Sequence, residues 1–324
     1  MEPLVPISTK PRPSLPIPSD LDTAILRLKK ERNAVLLAHY YQDSEIQDLA
    51  DFVGDSLQLA QAAQKTQADV ILFAGVHFMA EVAKILNPSR TVLVPDLAAS
   101  CSLADGCRPE QLAAYQRKYP GYVTVSYINC SAAVKAMSDC IVTSSNAERI
   151  LRSYPPEQPI LFAPDQHLGR YLMKKTGRTN MVVYPGSCQV HEIFSERELV
   201  RLKLDHPNAH VLAHPECEER ILAHAHFVGS TSALIKYAVD SAATELIIVT
   251  EPGVIHEMQK RAPHKTFIAS PAEGGCACNE CPHMRLNTPE KVYLALRDLT
   301  PELILAEDLR LAAKAPIDKM LSLS

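Results

Sequence analysis

The sequence predicts an α/β protein of three similar αβα domains, each a three-layer unit around a parallel sheet. It further predicts that a pseudo-threefold axis relates them, with the active site at their junction. Three observations lead there. An internal repeat with a period of about 87 residues runs through the chain. Inside each copy, short apolar runs rich in β-branched residues alternate with helical patterns. Polar side chains stand at the ends of those runs in every copy.

Residues 1–19 carry Pro3, Pro6, Pro11, Pro13, Pro16 and Pro18, and offer little to bury, so a mobile tail is expected there. The first domain, 20–105, opens with a helical pattern from Leu21 to Arg32 whose apolar residues form one buried stripe. The strand-like run from Asn33 to His39 (NAVLLAH) follows, and it recurs two periods later as NAHVLAH from Asn208 to His214. At the same offset Phe52-Val53-Gly54 returns as Phe227-Val228-Gly229. The second domain, 106–190, has its helix from Pro109 to Tyr119 and its first strand from Tyr122 to Tyr127. Ile141-Val142-Thr143-Ser144 falls midway between Ser56 and Thr231. The third domain, 191–290, starts with the helical pattern Glu196 to His206. A second strand appears as Ile71 to Ala74, Ile160 to Ala163 and Ile247 to Thr250, and a third ends at Pro95, Pro185 and Pro271. Such runs suit strands buried on both faces of a parallel sheet, with right-handed crossovers between them. Residues 291–324 are expected as C-terminal helices packing back on the core. Chance similarity among Val/Ile/Leu-rich strands is the competing account, and the several landmarks that keep nearly one offset argue against it.

A chain of 324 residues with 47% hydrophobic content can bury large cores. A net charge of -4 gives no basic field for gathering nucleic acid or an anionic membrane. No apolar run approaches the ~20 residues of a membrane span, and no signal-peptide core is present, so a cytoplasmic protein is expected. Nine cysteines in such a protein are free thiols or metal ligands before they are disulfides.

Ligands of open parallel sheets bind beyond the carboxyl ends of strands. The first strands finish at His39, at Tyr127 with Asn129, and at His214 with Glu216, while the next landmark supplies Ser56, Ser144 and Thr231. A hydroxyl residue opening a helix normally caps it, but three in register suggest helix N-termini converging on an anion. Cysteines follow each third strand: Cys101, Cys188, and the group Cys276, Cys278 and Cys281. One thiolate from each domain would suit a [4Fe-4S] cluster with one open iron acting as a Lewis acid. Strict repeat register favours Cys276 as the third. Cys278 and Cys281 could instead form half of a zinc site. Cys107, Cys130, Cys140 and Cys217 have no counterparts across the copies and read as packing residues, and His77, His167 and His256 as structural ones. His39, His191 and His214 are the candidate functional histidines.

These same stretches resemble the quinolinate synthase family. They are AHYYQDSEIQDLADFVGDSL at 38–57, CSLAD at 101–105, YINCSAAVKA at 127–136, TSSNA at 143–147, FAPDQHLG at 162–169, PGSCQVHE at 185–192, HPEC at 214–217, GSTSALI at 229–235 and CPHMRLNTPEK at 281–291. The resemblance implies a [4Fe-4S] cluster on Cys101, Cys188 and Cys281, the last chosen because it opens the CPHMRLN motif. It implies substrate contacts at His39, Ser56, Tyr127, Asn129, Ser144, His191, His214, Glu216 and Thr231. The reaction implied joins iminoaspartate to dihydroxyacetone phosphate, releasing phosphate and two waters, with a transient contact to an iminoaspartate-producing enzyme. Glu216 is then the candidate general base, His191 and His214 position or shuttle protons, and Tyr127 orients the triose. Two departures stand out: Cys130 where the family often has threonine, and Ser100 where glycine is usual. Another Fe–S hydro-lyase of small dicarboxylates and a non-catalytic Fe–S redox sensor are the alternatives.

Overall fold

A computed structural model describes residues 17–272 and 279–324. The Pro-rich stretch through residue 16, and with it most of the expected tail, lies outside the described residues, as do Cys276 and Cys278. The chain forms two compact units, Met1–Ser100 with Pro282–Leu311 and Cys101–Cys281 with Ala312–Ser324.

The first unit holds one sheet of four strands, β1 (Ala34–His39), β2 (Phe52–Gly54), β3 (Val70–Ala74) and β4 (Thr91–Leu93), in the order β2-β1-β3-β4. All its pairings are parallel. All five residues of β3 are buried, as a strand covered on both faces requires. Helix Leu21–Glu31 is started by Asp20, whose carboxylate accepts the Thr23 N–H at 3.0 Å. It buries Ile25 and Leu28 in a cluster with Leu36, Leu72 and Leu93 and with Val292 and Leu296 of helix Pro289–Asp298. Asn33 enters β1 at φ 46, a left-handed conformation asparagine tolerates, and its side chain bonds Asp69 at 2.9 Å. That geometry gives a physical use to the asparagine that opens the repeated NAVLLAH run.

The second unit holds two sheets of the same design. The first contains β5 (Val123–Tyr127), β6 (Cys140–Val142), β7 (Ile160–Ala163) and β8 (Met181–Val183), in the order β6-β5-β7-β8. The second contains β9 (His210–Ala213), β10 (Phe227–Val228), β11 (Glu245–Val249) and β12 (Thr266–Ala269), in the order β10-β9-β11-β12. All pairings are again parallel. The protein is therefore α/β with three parallel four-stranded sheets.

The Phe-Val-Gly landmark of the sequence is itself an edge strand, so each sheet has four strands where the apolar runs had suggested three. The prolines lie two residues past the ends of β4, β8 and β12, at Pro95, Pro185 and Pro271, where a missing N–H costs no ladder bond. In each sheet the chain steps from the first strand to one edge and then crosses to its other side. This places a topological switch point between β1 and β3, between β5 and β7, and between β9 and β11. Among the described residues no helix is long and apolar enough to cross a membrane.

Candidate active site

His39 and Ser56 belong to the first unit. His39 ends β1, is buried, and takes the Tyr41 N–H on its Nδ1 at 3.1 Å. Ser56 is the first residue of helix Ser56–Lys65, but Asp55 is the cap, accepting the N–H groups of Leu57 and Gln58. The third sheet repeats this arrangement: Thr231 opens helix Thr231–Asp240 and Ser230 caps it through the Ala233 N–H. Ser144 does not open a helix at all, because Asn146 is the N-cap of Ala147–Ser153. Capping, the structural alternative for these hydroxyls, is thus taken at Ser56 and Thr231 by the residue before each.

The second unit brings together Cys101, Cys188, Cys281, Tyr127, Ser144, His191, His214 and Glu216. His214 and Glu216 follow β9, and the turn between them is closed by the Glu216 N–H on His214 Nδ1 at 3.4 Å. His191 sits on the short helix Gln189–Glu192, one turn beyond Cys188. Its Nδ1 is 2.7 Å from Glu216 Oε2 and 3.2 Å from Cys188 Sγ, and its Nε2 is 2.8 Å from the Thr250 hydroxyl. The His214 ring stacks obliquely on His191 at 4.9 Å and reaches Ser144 Oγ through Nε2 at 3.3 Å. His191, His214 and Glu216 are all buried, at 1%, 3% and 3% exposure.

Electrostatics follow from this crowding. Burial alone would raise the Glu216 carboxyl. The imidazoles of His191 and His214 beside it outweigh that, with help from the Tyr127 hydroxyl, and hold it down to about 2. The thiols behave oppositely. Burial pushes Cys101 up to about 12, and the neighbouring Cys281 and Glu216 add to the rise. Cys188 is pushed well above the usual thiol range by burial, then by Glu216 and Cys101. Ligand atoms of Cys188, His191 and Glu216 lie within 4.8 Å of one another, a spacing that can hold a metal ion.

An iron–sulfur centre fits these residues. Three thiols share a site in which their own ionised forms repel, and bonding to a cationic centre turns that repulsion into ligation. Two buried atoms, Glu216 Oε1 and Asn129 Oδ1, have no hydrogen-bond partner among the described residues and remain available to a ligand.

Local sequence explains how the thiols are presented. Cys188 follows Gly186, where a side chain would meet the Pro164 carbonyl oxygen at 2.5 Å; the glycine lets the loop pair with the end of β7. The Gln189 N–H donates to Ser102 Oγ at 3.1 Å, tying this loop to the residue after Cys101. Ser100 is not at positive φ, so serine fits where glycine is usual in the resembling family. Cys130 is fully buried in a cluster with Cys107, Leu112 and Val134, and Cys217 in another with Leu199 and Val211, so both pack as small apolar residues. Cys140 is equally buried within β6.

Sequence reasoning missed Thr250 and Glu251, which follow β11 at the switch point of its sheet. The signal was partial. In two of the three copies the second strand also ends beside polar residues, with Asp165 after β7 and Thr250-Glu251 after β11, whereas Gly75 and Val76 follow β3.

Parallel sheets with a Cys/His/Glu group of metal-binding spacing beyond their carboxyl ends, Cys188 half-buried and His191 and Glu216 buried, define the class: an α/β enzyme with a candidate metal centre. Within that class, the chain belongs to the quinolinate synthetase A protein family, whose sequence profile matches residues 23–322. It is 61% identical over 308 residues to a quinolinate synthase of Nostoc punctiforme, covering 95% of each chain. A quinolinate synthase of Trichodesmium erythraeum is 59% identical over 308 residues, again 95% of each. One of Thermosynechococcus vestitus is 58% identical over 318 residues, 98% of this chain and 99% of that one.

Proposed function

We propose that this chain makes quinolinate for NAD biosynthesis by condensing iminoaspartate with dihydroxyacetone phosphate, releasing phosphate and two waters. A [4Fe-4S] cluster would be held by Cys101, Cys188 and Cys281. The observation that carries the reading is the meeting of these cysteines with the His191–Glu216–His214 group in one buried site. Family membership and the names of the relatives support it independently. When bound, the cluster supplies Lewis acidity at an iron without a protein ligand.

The protein's own residues would do the rest. Glu216 is ionised throughout the neutral range, and its contact with His191 Nδ1 makes the two a proton-handling pair. Glu216 accepts a substrate proton through this pair, while His214 Nδ1, 3.6 Å from the same Oε2, helps hold the carboxylate. The Tyr127 hydroxyl, facing the same carboxylate, orients the triose. Asn129, Ser144 and Thr231 of the second unit hold carboxylates and phosphate together with helix N-termini, and the resemblance adds His39 and Ser56 as substrate contacts. We further propose the division into domains 20–105, 106–190 and 191–290, with 291–324 as C-terminal helices; three sheets of one strand order support it. A cytoplasmic location and transient contact with an enzyme that supplies the short-lived iminoaspartate complete the proposal.

Cluster-replete protein prepared without oxygen, given dihydroxyacetone phosphate and freshly generated iminoaspartate, should release quinolinate and phosphate together. Neither product should form when one substrate is omitted. Dehydration of a simple hydroxy dicarboxylate without quinolinate would favour the hydro-lyase instead. The spacing of Cys188, His191 and Glu216 supports a second reading, a single metal ion that uses all three as ligands. Iron and sulfide analysis separates the two, since only the cluster brings acid-labile sulfide.

A further inference from the structure

We propose that Thr250 and Glu251, adjacent residues beyond the carboxyl end of β11, are positioning residues of this centre. Glu251 would fix the backbone of Cys281, and Thr250 the ring of His191. The inference rests on the function proposed above for its context, but its geometry stands by itself.

Glu251 is completely buried, which for a carboxylate is costly unless hydrogen bonds replace water. Both of its oxygens accept backbone N–H groups: Oε2 from Gly253 at 2.7 Å and Oε1 from Cys281 at 3.3 Å. The carboxylate therefore clips the loop segment carrying Cys281 to the end of β11, across thirty residues of sequence. A second anchor lies two residues earlier, where buried Asn279 donates to the Ser270 carbonyl at 2.9 Å. With two fixed points so close, Cys281 has little freedom to turn its thiol away. This also gives a structural reason for Cys281, rather than a residue in strict repeat register, to serve as the third ligand.

Thr250 acts on the neighbouring group. It is 1% exposed, and its hydroxyl meets His191 Nε2 at 2.8 Å. With that nitrogen engaged, the ring is held with Nδ1 toward Glu216, the orientation proton transfer requires. Partners of this outer kind set ligand orientation, and losing one typically costs about 10–100-fold in metal affinity or activity.

The two residues should fail differently. Glu251→Gln keeps the size of the side chain but offers one oxygen to two N–H donors. In the metal-free protein, hydrogen exchange at the Cys281 amide should speed up; in the cluster-replete protein, iron release to a chelator should rise by about 10–100-fold. Glu251→Asp, which keeps the charge and shortens the reach, gives the same readings should the glutamine variant not fold. Thr250→Val should keep iron at the wild-type level and lose about 10-fold or more in kcat, and Thr250→Ser should restore most of it. Wild-type amide exchange and iron release in the Glu251 variants would overturn the role of Glu251. An undiminished kcat in Thr250→Val, or no rescue by serine, would overturn that of Thr250. Wild-type protein that takes up no cluster would refute the proposed function, while the amide exchange would still judge the Glu251 contact.

Discussion

Glu216 has an unusual balance for a buried acid. Two imidazoles keep its carboxylate charged where burial alone would neutralise it. Glu216→Gln preserves shape and removes both the charge and the proton acceptor. Quinolinate formation should fall by roughly 10²–10⁴ while the cluster is retained, read from turnover and iron content on one sample. The same carboxylate links pH to stability. Its folded value of about 2 lies below the ordinary 4.5, so its contribution is complete above about pH 4.5 and fades as pH falls toward 2. Urea unfolding of metal-free protein should therefore show a shallower loss of stability in acid for Glu216→Gln than for the wild type. Among the thiols, Cys101→Ala, Cys188→Ala and Cys281→Ala should each abolish the cluster, whereas Cys276→Ala and Cys278→Ala should keep it. Iron lost in Cys276→Ala and kept in Cys281→Ala would reverse that choice.

At the scale of elements, two glycines mark places where backbone approaches too closely for a side chain. Helix Gln166–Thr176 passes over β8 at Gly169, where a Cβ would lie 2.0 Å from Val183 Cγ1. Gly169→Ala should destabilise the protein by about 1–3 kcal/mol, and adding Val183→Ala should recover part of it in a thermal double-mutant cycle. Gly186→Ala meets a carbonyl oxygen that cannot rotate aside, so the Cys188 loop must shift and iron content should drop.

The helices and central strands were legible because their patterns are long and strongly apolar. The helical pattern Pro109 to Tyr119 became Pro109–Lys118, and the run Ile160 to Ala163 became β7. The edge strands were legible only as landmarks, because β10 has two residues and β2 and β6 three, too few to show a period. The caps were not legible for a related reason. Asp55 and Ser230 sit one residue before Ser56 and Thr231, and sequence alone does not say which of two adjacent polar residues takes the extended conformation of a cap. Thr250 and Glu251 were not legible because Gly75 and Val76 stand at the matching place after β3, so no polar pattern recurs there in all three copies.

For the whole molecule, the proposed cluster would lose first the iron that has no thiolate ligand, so air should bleach the visible absorbance and stop turnover together. Activity that survives unchanged in fully metal-free or zinc-loaded protein would contradict the cluster's role. Because the proposed cluster would bind only the folded chain, its loss should also lower Tm, measurable by anaerobic and aerobic calorimetry of the same preparation.

The first unit is assembled from two stretches far apart in sequence, Met1–Ser100 and Pro282–Leu311, and its core is shared between them. During synthesis the sheet of β1 to β4 leaves the ribosome long before helix Pro289–Asp298 supplies Val292 and Leu296 to cover Ile25, Leu28 and Leu36. Until then, that apolar face has only solvent or other chains to meet. The last tenth of the polypeptide thus acts as a late seal on its beginning, and a ribosome that stops early releases a chain with an adhesive patch rather than a shortened enzyme.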